Sequence, residues 1–451
     1  MALAFLYIIN IVKLGGISMK KKALVAILTC ALVSSVFVGC GSSSTSSSND
    51  KITLTILTNR TDVASTLLNK TYREAYLKIH PNVTLKFESD VAYDKDTETR
   101  LNSKNYGDVL LIPGIINKTE EPNYFAPLGK EKDLSKKYYG LTGTGDQFGG
   151  TIYGIPTEMN VSGIVYNKKV FKDAGITEIP ATEEDFVKDM QLIKAKTSAI
   201  PYYTNYKDGW PLTQWEPDVS SVAGSTSYYS VDMVNDDSPF SPGKPEYITY
   251  SLLNNLAKNK LIEPDPTTSD WDKSKTGLAQ GKIASMELGC WAVGQIQAQA
   301  TNKDDIGFMP FPYRVNGKSY TNMSADYMLA VSKYSKHIQE SKDFVTWFVE
   351  KSGYSAYNGT INTLKSQAAP KVLSSLTDLG VTKLELTGSK SGQADWSNKI
   401  DKAGQVGLQT PDFRQKIIES ALGNSTDSFD KIMKDLNAKW KTGRDAVKAG
   451  N

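Results

Sequence analysis

Tryptophans placed among polar residues and turn formers are the most suggestive chemical feature of this chain. Trp210 and Trp215 lie within Asn205-Tyr-Lys-Asp-Gly-Trp-Pro-Leu-Thr-Gln-Trp215, and Trp291 follows Gly289-Cys290. Flat aromatic faces stack on the C–H faces of sugar rings while carboxylates and amides bond the hydroxyls, a mix of apolar wall and a few placed polar groups. The same side chains could instead fill a core. Reaction chemistry is poorly provided for. His80 and His337 are the only histidines, which excludes a three-His zinc site and leaves little for a Ser-His-Asp or Cys-His triad. There is no Gly-x-Ser-x-Gly elbow and no Walker A loop. Gly143-Thr-Gly145 with Gly149 has the wrong spacing for a dinucleotide loop and follows no strand pattern. The neighbouring acids Glu183-Glu184 and Asp304-Asp305 would point apart on regular structure. Spacing alone identifies no glycosidase carboxylate pair among the many acids. No catalytic residue, metal ligand or cofactor is expected.

The chain has 451 residues, with 52 Lys and Arg against 49 Asp and Glu. That length suits two or three domains with sizeable cores, and the balanced charge carries no footprint for nucleic acid. Met19-Lys20-Lys21-Lys22 precedes an apolar run from Ala23 to Val38 and then Gly39-Cys40. A basic start and a short apolar run make a secretory signal peptide, not a spanning helix. The ending Phe37-Val38-Gly39-Cys40 resembles a bacterial lipobox, so Cys40 is expected to become the lipidated first residue. Residues 1–18 add a second apolar run upstream, and translation is expected to start at Met19. Residues 1–39 hold four lysines and no acids, so the mature chain has 48 basic and 49 acidic residues and a formal charge of −1. Gly41 to Asp50 is a serine-rich tether with nothing to bury. Beyond it no apolar stretch approaches the ~18 residues of a transmembrane helix. With Cys40 acylated, Cys290 has no disulfide partner and reads as a small buried residue.

The elements that must position these residues follow from hydropathy spacing. Lys51 to Leu57 alternates apolar and polar as a strand does. Val63, Leu67, Leu68, Tyr72, Ala75, Tyr76 and Ile79 recur at helical spacing, and His80-Pro81 ends that helix. Val83, Leu85 and Phe87 alternate again, a short helical stretch lies around Thr97 to Leu101, and Asp108 to Ile112 reads as a strand buried on both faces. Strands alternating with helices predict βαβ units and a parallel sheet. Thr182-Glu-Glu-Asp185 forms a capping box opening a helix to about Lys196. Pro245 opens another, Ile283 to Leu288 and Ile306 onward read as strands, and the last long helix spans about Ser428 to Val447.

Four segments carry a resemblance. Ile152-Tyr-Gly-Ile-Pro156 leading to Tyr166-Asn-Lys-Lys-Val-Phe-Lys-Asp-Ala-Gly175 resembles the signature of family 1 extracellular solute-binding proteins of ABC importers. Gly281-Lys-Ile-Ala-Ser-Met-Glu-Leu-Gly-Cys-Trp291, Ile306-Gly-Phe-Met-Pro-Phe-Pro312, and Leu329 to His337 before Ser341 to Phe348 resemble further family segments, in order. The resemblance implies an α/β, two-lobed periplasmic-binding-protein fold (type II), like that of the maltose-binding protein. Lobe 1 is then 51–157 plus 314–350, and lobe 2 is 161–309 plus 353–451. Crossovers are placed by analogy near Pro156–Val161, Pro310–Tyr313 and Phe348–Gly353.

By the same resemblance Trp291 stacks on sugar, and Glu158, with Asn160 beside it, hydrogen-bonds sugar hydroxyls. Trp210 precedes Pro-Leu as in maltose-binding relatives, although the Glu and Tyr that adjoin it there are not reproduced. Trp215 is included with it. Asn59, Arg60 and Asp62 lie where the family's first ligand loop sits, although Thr61 or Asp62 could instead cap a helix. Asp326 and Tyr327 form a further loop candidate. The implied function is a lipid-anchored monomeric receptor, on the outer face of a Gram-positive membrane, that passes a carbohydrate to an ABC permease. A surface glycoside hydrolase, or a receptor for a peptide, phosphodiester or polyamine, are the rival readings.

Overall fold

The computed structural model describes residues 51–90, 92–114, 116, 118–141, 150–390 and 392–450. The expected signal segment, Cys40, the tether, and Gly143, Gly145 and Gly149 lie outside the described residues. The strand patterns resolve into two five-stranded sheets, one per lobe. The first has the order β2 (Val83–Ser89), β1 (Ile52–Thr58), β3 (Val109–Leu111), β11 (Met328–Val331) and β6 (Gly154–Pro156). β1 is parallel to β2 from Ile52↔Val83 to Thr58↔Ser89 and parallel to β3, and β11 runs antiparallel between β3 and β6. The helix between β1 and β2 starts with π-helical turns, Ala64–Tyr72, and continues as α-helix, Arg73–Ile79. Its inward Leu68, Tyr72 and Tyr76 join Leu54, Ile56, Phe344 and Trp347 in the first core.

In the second sheet, β12 (Thr382–Glu385), β10 (Tyr320–Ala325), β7 (Met159–Asn167) and β8 (Ser285–Gly289) follow in order, with β9 (Ile306–Met309) also on β7. A short ribbon pairs β4 (Gly129–Lys130) with β5 (Thr151–Ile152). β7 is buried almost throughout and exchanges one neighbour along its length, pairing with β10 near Asn160 and with β9 from Ile164 on. The expected capping box forms at Thr182, whose Oγ1 accepts from the Asp185 backbone N–H at 3.1 Å and opens the helix Glu183–Lys196. Ser428 caps the last helix, Phe429–Ala449, in the same way.

The first crossover falls at Thr157–Glu158, between β6 and β7, within the expected Pro156–Val161. The second falls at Asp326–Tyr327, not at Pro310–Tyr313. The Pro-rich bend after β9 only turns the chain inside lobe 2, where Phe311 is buried in that lobe's core. A tight turn through Asn316 and Gly317, both with positive φ, then returns the chain along β7 as β10 before it leaves. β10 therefore pairs within the second sheet. The third crossover is also later than Phe348–Gly353. The helix Ile338–Lys351 and then Tyr354 pack in the first core, and the chain joins the second lobe where Ile361 bridges Met159.

Candidate functional site

β1 and β3 end at the crossover side of their sheet, and the loop after a parallel strand's carboxyl end is where open α/β sheets place ligands. Asn59 and Arg60 directly follow β1. With Thr157, Asp326, Tyr327 and Tyr354 they line a small cavity of about 50 Å³. Arg60 forks onto Asp62 with two bonds of 2.8 Å and turns Nη1 to the Tyr354 hydroxyl at 2.7 Å and Asn358 Oδ1 at 3.1 Å. The guanidinium bonds hold the Asp62 carboxyl below its ordinary range, against the effect of burial. Asp62 caps no helix; the following helix has Val63 at its N-cap without a side-chain bond.

The three crossovers meet on Glu158. Its side chain is 2% exposed, and its carboxylate accepts from Asn358 Nδ2 at 2.8 and 3.1 Å and from Thr360 Oγ1 at 2.6 Å. Asp326 donates its backbone N–H to the Glu158 carbonyl at 3.0 Å, and its carboxyl adjoins that of Glu158. Burial, and then the nearby Asp326 charge, push the Glu158 carboxyl up to about 8. Arg60, Tyr354, Tyr72, Cys290 and Tyr327 are further titratable groups within electrostatic reach of this pair. Asn160 is half-buried on β7 opposite Ser324, 3.7 Å from Cys290 Sγ. Tyr327 turns its hydroxyl to Asp94 Oδ2 at 3.3 Å. Cys290 is fully buried, as expected.

On lobe 2 the structure brings together three indoles. Trp291 opens the helix Trp291–Gln297 just past β8, at the end of the sheet nearest Ser162 and the first crossover. Trp210 and Trp271 open the helical segments Trp210–Gln214 and Trp271–Ala279. Their ring centroids are 4.9 Å apart for Trp210 and Trp271, and 5.9 Å from each to Trp291. The interplanar angles of 77°, 40° and 55° make an angular corner in place of a stack. Trp210 is 40% exposed. Trp215, expected beside Trp210 at the ligand, is instead 2% exposed, with Tyr202 and Phe311 at 5.8 and 5.9 Å, and fills the lobe 2 core. It opens the helix Trp215–Ala223, whose buried face turns its ring inward.

Trp271 escaped the sequence reading. Its signal was an aromatic after the N-cap Asp270, at the helix-opening position that Trp210 and Trp291 share. Tyr354, Asn358 and Thr360 carried no comparable signal, since they come to the site only through the third crossover.

Residues 59–354 match the bacterial extracellular solute-binding protein family. The chain belongs to that family. A multiple sugar-binding protein from Streptococcus mutans is 27% identical over 354 residues, 75% of this chain and 80% of its own length. A manno-oligosaccharide specific solute binding protein from Bifidobacterium animalis subsp. lactis, solved with mannotriose, has a TM-score of 0.78 at 31% identity, covering 88% of this chain and 96% of that one. A binding protein of an ABC transporter from the same organism, solved with mannobiose, has a TM-score of 0.78 at 33% identity with the same coverages.

In this solute-binding protein the junction of the lobes therefore holds a carboxyl with a raised pKa. A carboxyl that keeps its proton in the folded state up to about 8, against an ordinary 4.5, contributes stability that is full below 4.5 and is lost as pH rises through 8. The midpoint of thermal unfolding of the ligand-free protein should fall between pH 5 and 8.5, and Glu158→Gln should flatten that fall. An identical slope in the variant would remove Glu158 as its source.

Proposed function

We propose that the protein is a receptor that captures an oligosaccharide between its lobes, with Trp291 and Trp210 stacking on sugar rings, and passes it to an ABC permease. Lipid anchoring at Cys40 on the outer face of the membrane completes the reading and rests on the signal segment. The observation that carries it is the angular corner of indoles, partly open to solvent, at the crossover end of the second lobe. Aromatic surface left exposed at the mouth of a fold with three well-filled cores is the pattern of a binding wall. The polar complement comes from Asn59, Arg60, Asp62, Asn160, Asp326 and Tyr327, with Glu158 at the hinge. Relatives that bind sugars support the ligand class, and mannosides are the natural first series. Closure would follow from contacts to both lobes at once, because only differential affinity shifts an open–closed balance.

The carboxyls of Glu158 and Asp326 adjoin each other, whereas a glycosidase pair flanks the bond it cleaves at roughly 5 to 9.5 Å. That contact favours the receptor over the hydrolase. A thermal-shift screen of residues 41–451 against mannose, mannobiose, mannotriose and maltotriose, with product analysis, tests the reading. A ligand at a hundred times its Kd adds about 2.7 kcal/mol. A shift with the sugar recovered intact is expected; cleaved sugar would make the protein a hydrolase, and no shift would send the search to peptides and polyamines.

A further inference from the structure

We propose that Trp271 is a positioning residue that holds the exposed face of Trp210 ready for an outer sugar ring, so that the corner selects ligands longer than a disaccharide. This rests on the carbohydrate reading above. Trp210 is the outermost of the three indoles, and its loop is built with unusual care. Asn205 and Gly209 both take positive φ, of 54° and 73°, on either side of the turn. Asn205 is 1% exposed, and asparagine takes this left-handed conformation more readily than other residues that carry a Cβ. A Cβ on Gly209 would come within 3.0 Å of Pro411.

The turn is tied to the loop before Trp271 by two bonds. Lys207 donates its backbone N–H to Ser269 Oγ at 2.8 Å, and Trp271 donates its own to Asp208 Oδ2 at 2.8 Å. Gln415 Nε2 bonds the Tyr206 carbonyl at 2.9 Å from the other side. Trp271 then meets Trp210 edge to face, at 4.9 Å and 77°. Lys275, one turn along the same helix, places Nζ 4.8 Å from the centre of the Trp271 ring and is bound in turn by Asp272. Trp271 thus has the Lys275 ammonium over its ring and the Trp210 and Trp291 rings beside it. It is fixed from both sides, and fixes Trp210. Rigid placement of an exposed aromatic raises affinity by lowering the ordering cost of binding. Trp291, nearest the crossover, takes an inner ring, and Trp210 takes one further out.

Isothermal titration of wild type, Trp271→Phe and Trp271→Ala with mannobiose and mannotriose, and with maltose and maltotriose, tests this. Wild type should bind the trisaccharide of the accepted series at least tenfold more tightly than the disaccharide. Trp271→Ala should remove most of that difference by weakening the trisaccharide more than the disaccharide, and Trp271→Phe should restore much of it. Equal losses for both lengths, or no length preference in wild type, would overturn the proposal. If neither series binds, the carbohydrate reading fails. The positioning role is then judged without ligand, by near-ultraviolet circular dichroism of Trp210→Ala, Trp271→Ala and the double variant. Non-additive difference spectra are expected, and additive ones would overturn it.

Discussion

Replacing Trp291 with alanine should weaken binding of the preferred saccharide about a hundredfold, or ~2.7 kcal/mol, and shift ligand-free unfolding by only a few degrees. The indole is half-buried at the start of its helix, with one neighbour in each of the Trp210 and Trp271 rings. Aromatic anchors of this kind carry a disproportionate share of binding energy. Gly289 supplies an independent probe. The nearest atoms that a Cβ there would meet all belong to the Trp291 indole, which lies folded over it. Gly289→Ala should therefore lower affinity by tilting the ring, with no aromatic removed. Calorimetric titration and thermal scans on both variants check this. A collapse of ligand-free stability with Trp291→Ala would make the residue core and withdraw the stacking role.

The largest effect on folding is expected from Arg414→Met. Arg414 is fully buried in lobe 2, on the helix Asp412–Leu422. Its Nη2 bonds Glu216 Oε2 and the Tyr250 hydroxyl, each at 2.6 Å, and Nη1 bonds the Thr410 carbonyl at 2.7 Å. Glu246, also fully buried, sits within reach of the same charges; burial, then Glu216, push its carboxyl well above the ordinary range. Burial raises Glu216 too, with Arg414 opposing. Removing the only cation of this group strands a buried carboxylate, which costs about 3–5 kcal/mol. Without Arg414 both acids favour their protonated forms still more, so the loss should be smallest near pH 5 and grow as pH rises. Urea unfolding at pH 5 and 8 measures it. A loss under about 1 kcal/mol, the size of an exposed pair, would refute the assignment. The double variant Arg414→Met, Glu216→Leu should recover much of the stability, because an apolar replacement for a buried pair is close to neutral.

The elements legible in the sequence are those whose causes lie within a few residues. Thr182 needs only Asp185 to cap its helix, and β2 needs only alternation to bury one face. The two-lobed fold was legible because four segments in order matched a known family. Partner choice was not. Trp210 and Trp215 share one polar stretch, yet one stands at the mouth and the other in the core, because the helix that Trp215 opens turns its buried face inward. β10 joined lobe 2 through pairing with β7, a register that no local pattern specifies.

By itself, then, the sequence determined the strand and helix patterns and the family. Only the tertiary structure decided which residues meet. Asn358 reaches Glu158 across 200 residues of chain, and Trp271 reaches Trp210 across 61 residues. Local propensity acts over one or two turns, whereas a site between lobes is assembled by packing and crossovers that bring distant segments to one place.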